Sequence, residues 1–215
     1  MENINISFFI LTFSSLFTLI NPIGITPILL SITEGSDVNE YGKIIKKGIL
    51  TAFILLIVFA VMGKLIFKFY GISINAFMIA GGILFFKSSM DMIDAKVSRS
   101  SSTPKETKEA EDREDIGITP VGMPLIAGPG ALTSVMILSS QANSFLDKII
   151  LYSNITLTLF LTYIILKLGK KISKNIGTTG IRIIQRIMGL VLLVISIQFI
   201  INGVGDIIKN WLLSN

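Results

Sequence analysis

Uncharged positions fill two stretches of this chain, Asn3 to Thr33 and Ile116 to Leu146, each 31 residues long. A helix of that length would measure about 46 Å at roughly 1.5 Å per residue, against a bilayer hydrocarbon core of about 30 Å. Neither stretch reads as one plain membrane helix. Each is interrupted by residues that helices avoid: Asn21-Pro22-Ile23-Gly24-Ile25-Thr26-Pro27 in the first, Gly128-Pro129-Gly130 in the second. Four further apolar runs complete the pattern. Gly48 to Gly63 lies between Lys47 and Lys64, and its helix can extend toward Lys43 and Lys68 by snorkelling. The others are Tyr70 to Phe86, reaching toward Ile93, then Ile149 to Leu166 and Ile187 to Gly205. The pattern predicts six spans. Asp37-Val38-Asn39-Glu40 resembles a capping box opening the second helix, after Gly35 closes the first.

The two halves of the chain echo each other. Ile79-Ala80-Gly81-Gly82-Ile83-Leu84 resembles Ile187-Met188-Gly189-Leu190-Val191-Leu192 at an offset of 108 residues, and Pro22 precedes Pro129 by 107, which pairs Thr26 with Thr133. Three spans per half means that the second half enters the membrane from the opposite face. The expected fold is therefore an all-α integral membrane protein of six transmembrane helices in two inverted three-helix repeats, with discontinuous first and fourth helices. The repeats cover residues 1–93 and 116–215. Residues 94–115 carry a Ser-rich turn and a dense mixed-charge run and read as a solvated linker, with a regulatory site as the alternative.

Composition narrows the class. Only 15% of the 215 residues are charged, against about 25% in soluble domains, and the mean hydropathy is +0.75. Without cysteine or histidine the chain forms no disulfide, thiolate nucleophile or His-based triad, so an enzyme is the least favoured reading and no cofactor is expected. The net charge of +5 suits anionic lipid rather than nucleic acid, because the basic residues are scattered over separate loops. With the amino terminus outside, the inner connections hold 13 basic residues (Lys43, Lys46, Lys47, Lys96, Arg99, Lys105, Lys108, Arg113, Lys167, Lys170, Lys171, Lys174, Arg182). The outer ones hold four, Lys64, Lys68, Lys148 and Lys209. This predicts a multi-pass protein of the cell membrane with both termini outside. The amino-terminal run lacks a basic leader and a cleavage site, and reads as a retained span.

Breaks in membrane helices carry the candidate chemistry. Proline removes a backbone donor and glycine admits unusual angles, so freed N–H and C=O groups must face protein or a watery cavity. A half-helix N-terminus attracts a carboxylate, and a half-helix C-terminus attracts an ammonium or a metal cation. Two facing breaks suit a small zwitterion without charged side chains. Proline kinks that only shape packing are the competing reading. Asn21, Thr26, Thr133 and Ser134 flank the breaks and can bond a ligand or cap backbone. Lys87, Asp91 and Arg186 lie near predicted span ends, where snorkelling is the default. Gln198 and Asn202 share a helix face and suit interhelical hydrogen bonding. Gly81, Gly82 and Gly189 suit close helix approach.

Asn21-Pro22-Ile23-Gly24-Ile25-Thr26-Pro27-Ile28 with Thr33, and Thr119-Pro120-Val121-Gly122-Met123-Pro124-Leu125-Ile126-Ala127-Gly128-Pro129-Gly130, resemble the two signature regions of the MarC family. Ala80 to Leu84 and Arg186 to Leu190 resemble its third and sixth segments. The resemblance implies transport of small neutral amino acids (glycine, alanine, serine or threonine), as in SnatA-like transporters. Carried over by position, the substrate site comprises Asn21, Pro22, Gly24 and Thr26 from the first break, and Gly128, Pro129, Gly130 and Thr133 from the second. A channel or exporter for another small metabolite, and a structural or regulatory membrane protein, are the alternatives. No nucleotide-binding loop is present. The direction of transport, the coupling ion (proton or sodium) and the oligomeric state stay open.

Overall fold

A computed structural model describes residues 6–33, 36–94 and 116–214, and every element within them is helical. Gly35 and nearly all of the 94–115 linker lie outside the described residues. The elements are α1 (Ile6–Ile20), α2 (Pro22–Ile32), α3 (Val38–Tyr70), α4 (Ile74–Ile93), α5 (Gly117–Ile126), α6 (Pro129–Gln141), α7 (Phe145–Lys167) and α8 (Gly169–Ser214). Five helical stretches are long and apolar enough to cross a membrane, and α5 with α6 makes a sixth if that bent pair is one span.

Local chemistry sets most of the ends. The Asp37 carboxylate accepts from the Glu40 N–H at 2.8 Å and opens α3, as its place before the apolar run predicts. Gly71, at φ 65°, closes α3 in the left-handed region. Ser73 caps α4, and Ser144 with Asp147 forms a reciprocal capping box at α7. Two helices exceed the apolar runs that announce them. α3 continues through Lys43, Lys46, Lys47 and Lys68 over 33 residues. α8 begins 18 positions before Ile187, across a polar Lys- and Thr-rich stretch, and breaks direction at Gly177 (φ 66°, ψ 173°). That backbone is open to glycine and strained for other residues.

Packing relies on small residues, as expected where lipid tails offer no hydrophobic drive between helices. The most extensive contact joins α4 and α8, which run antiparallel. Gly203 lies against Asn75 and Ile79, Gly82 against Ser196 and Ile200, and Gly189 against Met92 and Ile93. α3 packs on α5 and α6, while α7 packs on α1 and α2. At the α3–α5 contact Gly48 meets Val121 and Gly117, and Gly122 meets Thr51. Leu16, Ile45, Leu56, Phe85, Ile137, Leu151 and Phe199 fill the centre. The outward faces of α3, α7 and α8 expose Ile54, Val58, Leu65, Phe160 and Val194, apolar side chains of the kind that meet lipid. Gln198 donates to Asn202 at 2.7 Å on the exposed face of α8, so that pair bonds within its own helix rather than between helices.

Candidate functional site at the two helix breaks

The first break is a single residue. Asn21 sits at φ 49°, ψ 59° between α1 and α2, in the left-handed region that asparagine tolerates better than most side chains. Its N–H still bonds Phe17 O at 2.9 Å, and its own carbonyl receives the Ile25 N–H at 3.1 Å. Pro22 has no N–H, and the Gly24 N–H is taken by Asn21 Oδ1 at 3.1 Å. A Cβ on Gly24 would run into the Asn21 side chain, so glycine there makes room for the cap. The disruption expected over 21–27 thus contracts to Asn21. Pro27 sits inside α2, and the helix continues past it.

The second break is longer than the Gly128-Pro129-Gly130 signal suggests. α5 is wound in wide turns, with the Val121 N–H bonded to Ile116 O at 3.2 Å and the Ala127 N–H to Gly122 O at 2.9 Å, each spanning five residues. Thr119 and Met123 are extended, as residues before proline tend to be, and both are followed by cis prolines, Pro120 and Pro124. Two X-Pro steps four residues apart were the signal for this extension. Gly128 then leads into α6, where Pro129 occupies the first turn, and α5 and α6 meet at a bend of 59°.

The two breaks share a cavity of about 50 Å³. Leu19, Ile20 and Asn21 line it from the first break, and Pro124, Gly128, Pro129 and Gly130 from the second. Ser88 and Met92 of α4 close another side. Backbones approach closely here: a Cβ on Gly130 would stand 3.0 Å from Leu19 Cδ2, and one on Gly128 2.9 Å from Pro124 O. The breaks differ in one respect. α2 is capped by the Asn21 side chain, whereas α6 has no side-chain cap, because Gly128 stands 107 positions after Asn21. The cavity therefore meets an uncapped, electropositive helix N-terminus at α6 and the electronegative C-terminus of α1.

Of the eight residues expected at the site, Asn21, Gly128, Pro129 and Gly130 line this cavity. Pro22 and Gly24 are buried beside it and shape the first break. Thr26 is fully buried and donates its hydroxyl to Pro22 O at 2.8 Å, with its methyl beside Gly169. Thr133 turns its methyl toward Gly81. Neither threonine is among the lining residues. Ser88 lines the cavity but was not among the expected residues; it stands between Lys87 and Ser89, past the apolar run that ends at Phe86, and carried no signal in the sequence. Among the described residues no group of three or more Asp, Glu, His or Cys side chains is placed to hold a metal ion.

Comparison with known proteins places the chain in a family. The MarC family of integral membrane proteins matches residues 6–208, a range that contains both breaks. The chain belongs to the MarC family. Among its relatives, a UPF0056 membrane protein of Methanocaldococcus jannaschii is 39% identical over 204 residues, spanning 93% of this chain and 97% of the relative. A UPF0056 membrane protein of Aquifex aeolicus is 33% identical over 202 residues, 94% of each chain. The UPF0056 membrane protein YvbG of Bacillus subtilis is 37% identical over 195 residues, 90% of this chain and 92% of the relative. No solved structure matches the chain. This MarC protein is an integral membrane protein with several spans, and the names of these relatives state no substrate.

Proposed function

We propose that this MarC-family chain is a secondary transporter of small neutral amino acids such as glycine, alanine, serine and threonine, and not an enzyme. The observation that carries the reading is the small cavity between the two breaks. There the C-terminal end of α1 and the uncapped N-terminal end of α6 supply opposite partial charges without an ionised side chain. An α-ammonium would rest against the α1 end near Leu19 and Ile20, and an α-carboxylate against the α6 end at Gly130. At ~10–15 Å³ per water, the cavity holds on the order of three to five waters, a scale suited to glycine rather than to a bulky side chain.

The same reading takes the fold as two inverted three-helix halves, α1–α4 and α5–α8, with the first and fourth spans discontinuous. Two contacts support it. Gly82 lies against Ile200 and Gly189 against Ile93; Gly189 follows Gly82 by 107 positions, and Ile200 follows Ile93 by the same number. Such reciprocal contacts across an antiparallel pair are what a two-fold axis perpendicular to the helices produces, and that axis lies in the membrane plane. Pro22 and Pro129 keep the same offset. The excess of basic residues on one set of connections favours a cell-membrane protein with both termini outside.

The test is uptake by the purified chain in proteoliposomes. Saturable accumulation of labelled glycine or alanine is the expected result. No uptake under imposed proton, sodium or substrate gradients would overturn the proposal.

A further inference from the structure

Four buried side-chain oxygens have no hydrogen-bond partner among the described residues: Ser15 Oγ, Ser134 Oγ, Asn154 Oδ1 and Thr158 Oγ1. All four residues are 0% exposed. They sit on α1, α6 and α7, three helices that pack on one another pairwise. Buried hydroxyls elsewhere behave differently. Thr12, Thr26, Thr33 and Thr162 each donate to the carbonyl four residues back, the usual outlet for a hydroxyl inside a helix. Ser15, Ser134 and Thr158 make no such bond. Asn154 donates Nδ2 to Phe9 O at 3.0 Å, which pins it to α1 and leaves Oδ1 an acceptor with nothing to accept from. An orphaned polar atom at membrane depth is costly, and three of the four lie on α1 and α7, which pack on each other.

The α3–α5 contact indicates how these residues face one another. There Thr51 meets Gly122, and Gly48 meets Gly117. Shifting each member by 107 positions turns Thr51–Gly122 into Thr158–Ser15. It turns Gly48–Gly117 into Ile155–Ile10, one residue from the Asn154–Phe9 bond. On the two-fold relation proposed above, Ser15 falls beside Thr158, and Asn154 stands one turn from Thr158 on the same face of α7.

The chemistry of the partner follows from the donor set. The buried polar residues among those described are serine, threonine and asparagine, so none of them carries a titrating proton. A divalent cation calls for carboxylates. A hard monovalent cation takes neutral oxygens. We propose that Ser15 Oγ, Asn154 Oδ1 and Thr158 Oγ1 bind a sodium ion between α1 and α7. Ser15 is one turn before Leu19, which lines the cavity at the breaks, so occupancy of the ion site bears directly on the α1 end that faces the solute. The placement of Ser15 beside Thr158 rests on the two-fold relation proposed above, and the role of sodium as coupling ion rests on the transport reading; the unpartnered oxygens themselves rest on neither.

The experiment is thermal unfolding of the full chain in detergent, in NaCl, KCl or choline chloride at equal ionic strength. A ligand that binds only the folded state raises Tm in a saturable way. The expected result is a sodium-specific rise that is lost in Asn154→Leu and in Thr158→Val. In the milder Ser15→Ala, about tenfold more sodium should be needed for half the effect. Equal Tm of the wild-type chain in NaCl and choline chloride overturns the proposal and assigns these oxygens to water. A sodium rise that persists in all three variants overturns the residue assignment. A sodium rise lost in the variants, with no amino-acid uptake under any gradient, supports the ion site and counts only against the transport reading.

Discussion

Gly82 of α4 and Gly189 of α8 each press against the facing helix of one antiparallel pair. A Cβ on Gly82 would stand 2.6 Å from Ile200 Cγ1 and 2.8 Å from Ser196 O, and a Cβ on Gly189 3.0 Å from Ile93 N. Both glycines are pressed against backbone that a flexible side chain cannot clear by moving aside. Gly82→Ala and Gly189→Ala should therefore each destabilise the protein by about 1–3 kcal/mol, the usual range for overpacking, and by similar amounts. Thermal unfolding in detergent measures this. A large loss at one position with none at the other would count against the equivalence of the two halves.

The first break makes a graded prediction. Asn21 supplies both a left-handed backbone and the cap on Gly24. Asn21→Ala loses the cap, worth about 0.5–2 kcal/mol, and adds roughly 1–2 kcal/mol of left-handed strain. Asn21→Gly removes the side chain but accepts the angle, and should be the milder change. Unfolding of the two variants side by side checks the order, and a more stable Asn21→Ala would contradict the account.

Much of the fold was legible in the sequence, and the places where it was not are instructive. The membrane class followed from the charge-free runs, and the resemblance to the family rested on the proline–glycine clusters. The polar start of α8 was missed because Lys167 to Arg186 lacks the apolar pattern that marks a span, and its helix reads as connection. Sequence similarity pairs Gly81 with Gly189 at 108, whereas Gly81 faces Ile137 and Thr133 of α6 and Gly82 faces α8. On the two-fold relation proposed above, Gly82 is therefore the partner of Gly189, at the 107 offset of the prolines. At the site, the backbone elements were legible because prolines and glycines announce them. Thr26 was not separable from a ligand contact by sequence, since a hydroxyl that donates within its own helix, here to Pro22 O, looks the same as one that serves a ligand.

Side chains at the second break should therefore divide by position. Gly130→Val directs bulk toward Leu19 and into the cavity, and is expected to abolish glycine and alanine uptake with expression close to wild type. Thr133→Val, whose methyl contacts Gly81, should change apparent affinity less than about threefold, below the tenfold or so that a hydrogen bond to a charged ligand group supplies. Concentration-dependent uptake by both variants tests this. Unchanged uptake in Gly130→Val would remove the close backbone at Gly130 from the site.

Orientation is open to a clean chemical test because the chain has no cysteine. A single cysteine introduced as Ser101→Cys in the charged linker should resist an impermeant thiol reagent applied to intact cells and react once the membrane is opened. Labelling from outside would reverse the orientation drawn from the basic residues.

The account rests most heavily on a zwitterion held between the end of α1 and the start of α6. Competition against labelled alanine in proteoliposomes addresses this directly, using unlabelled alanine, alaninamide and N-acetylalanine at matched concentrations. Alaninamide lacks the carboxylate that the α6 end would hold, and N-acetylalanine lacks the ammonium that the α1 end would hold. Losing one charged hydrogen bond of roughly 1.5–3 kcal/mol should weaken each analogue by about tenfold or more relative to alanine. Competition by alaninamide equal to that by alanine would contradict the central claim.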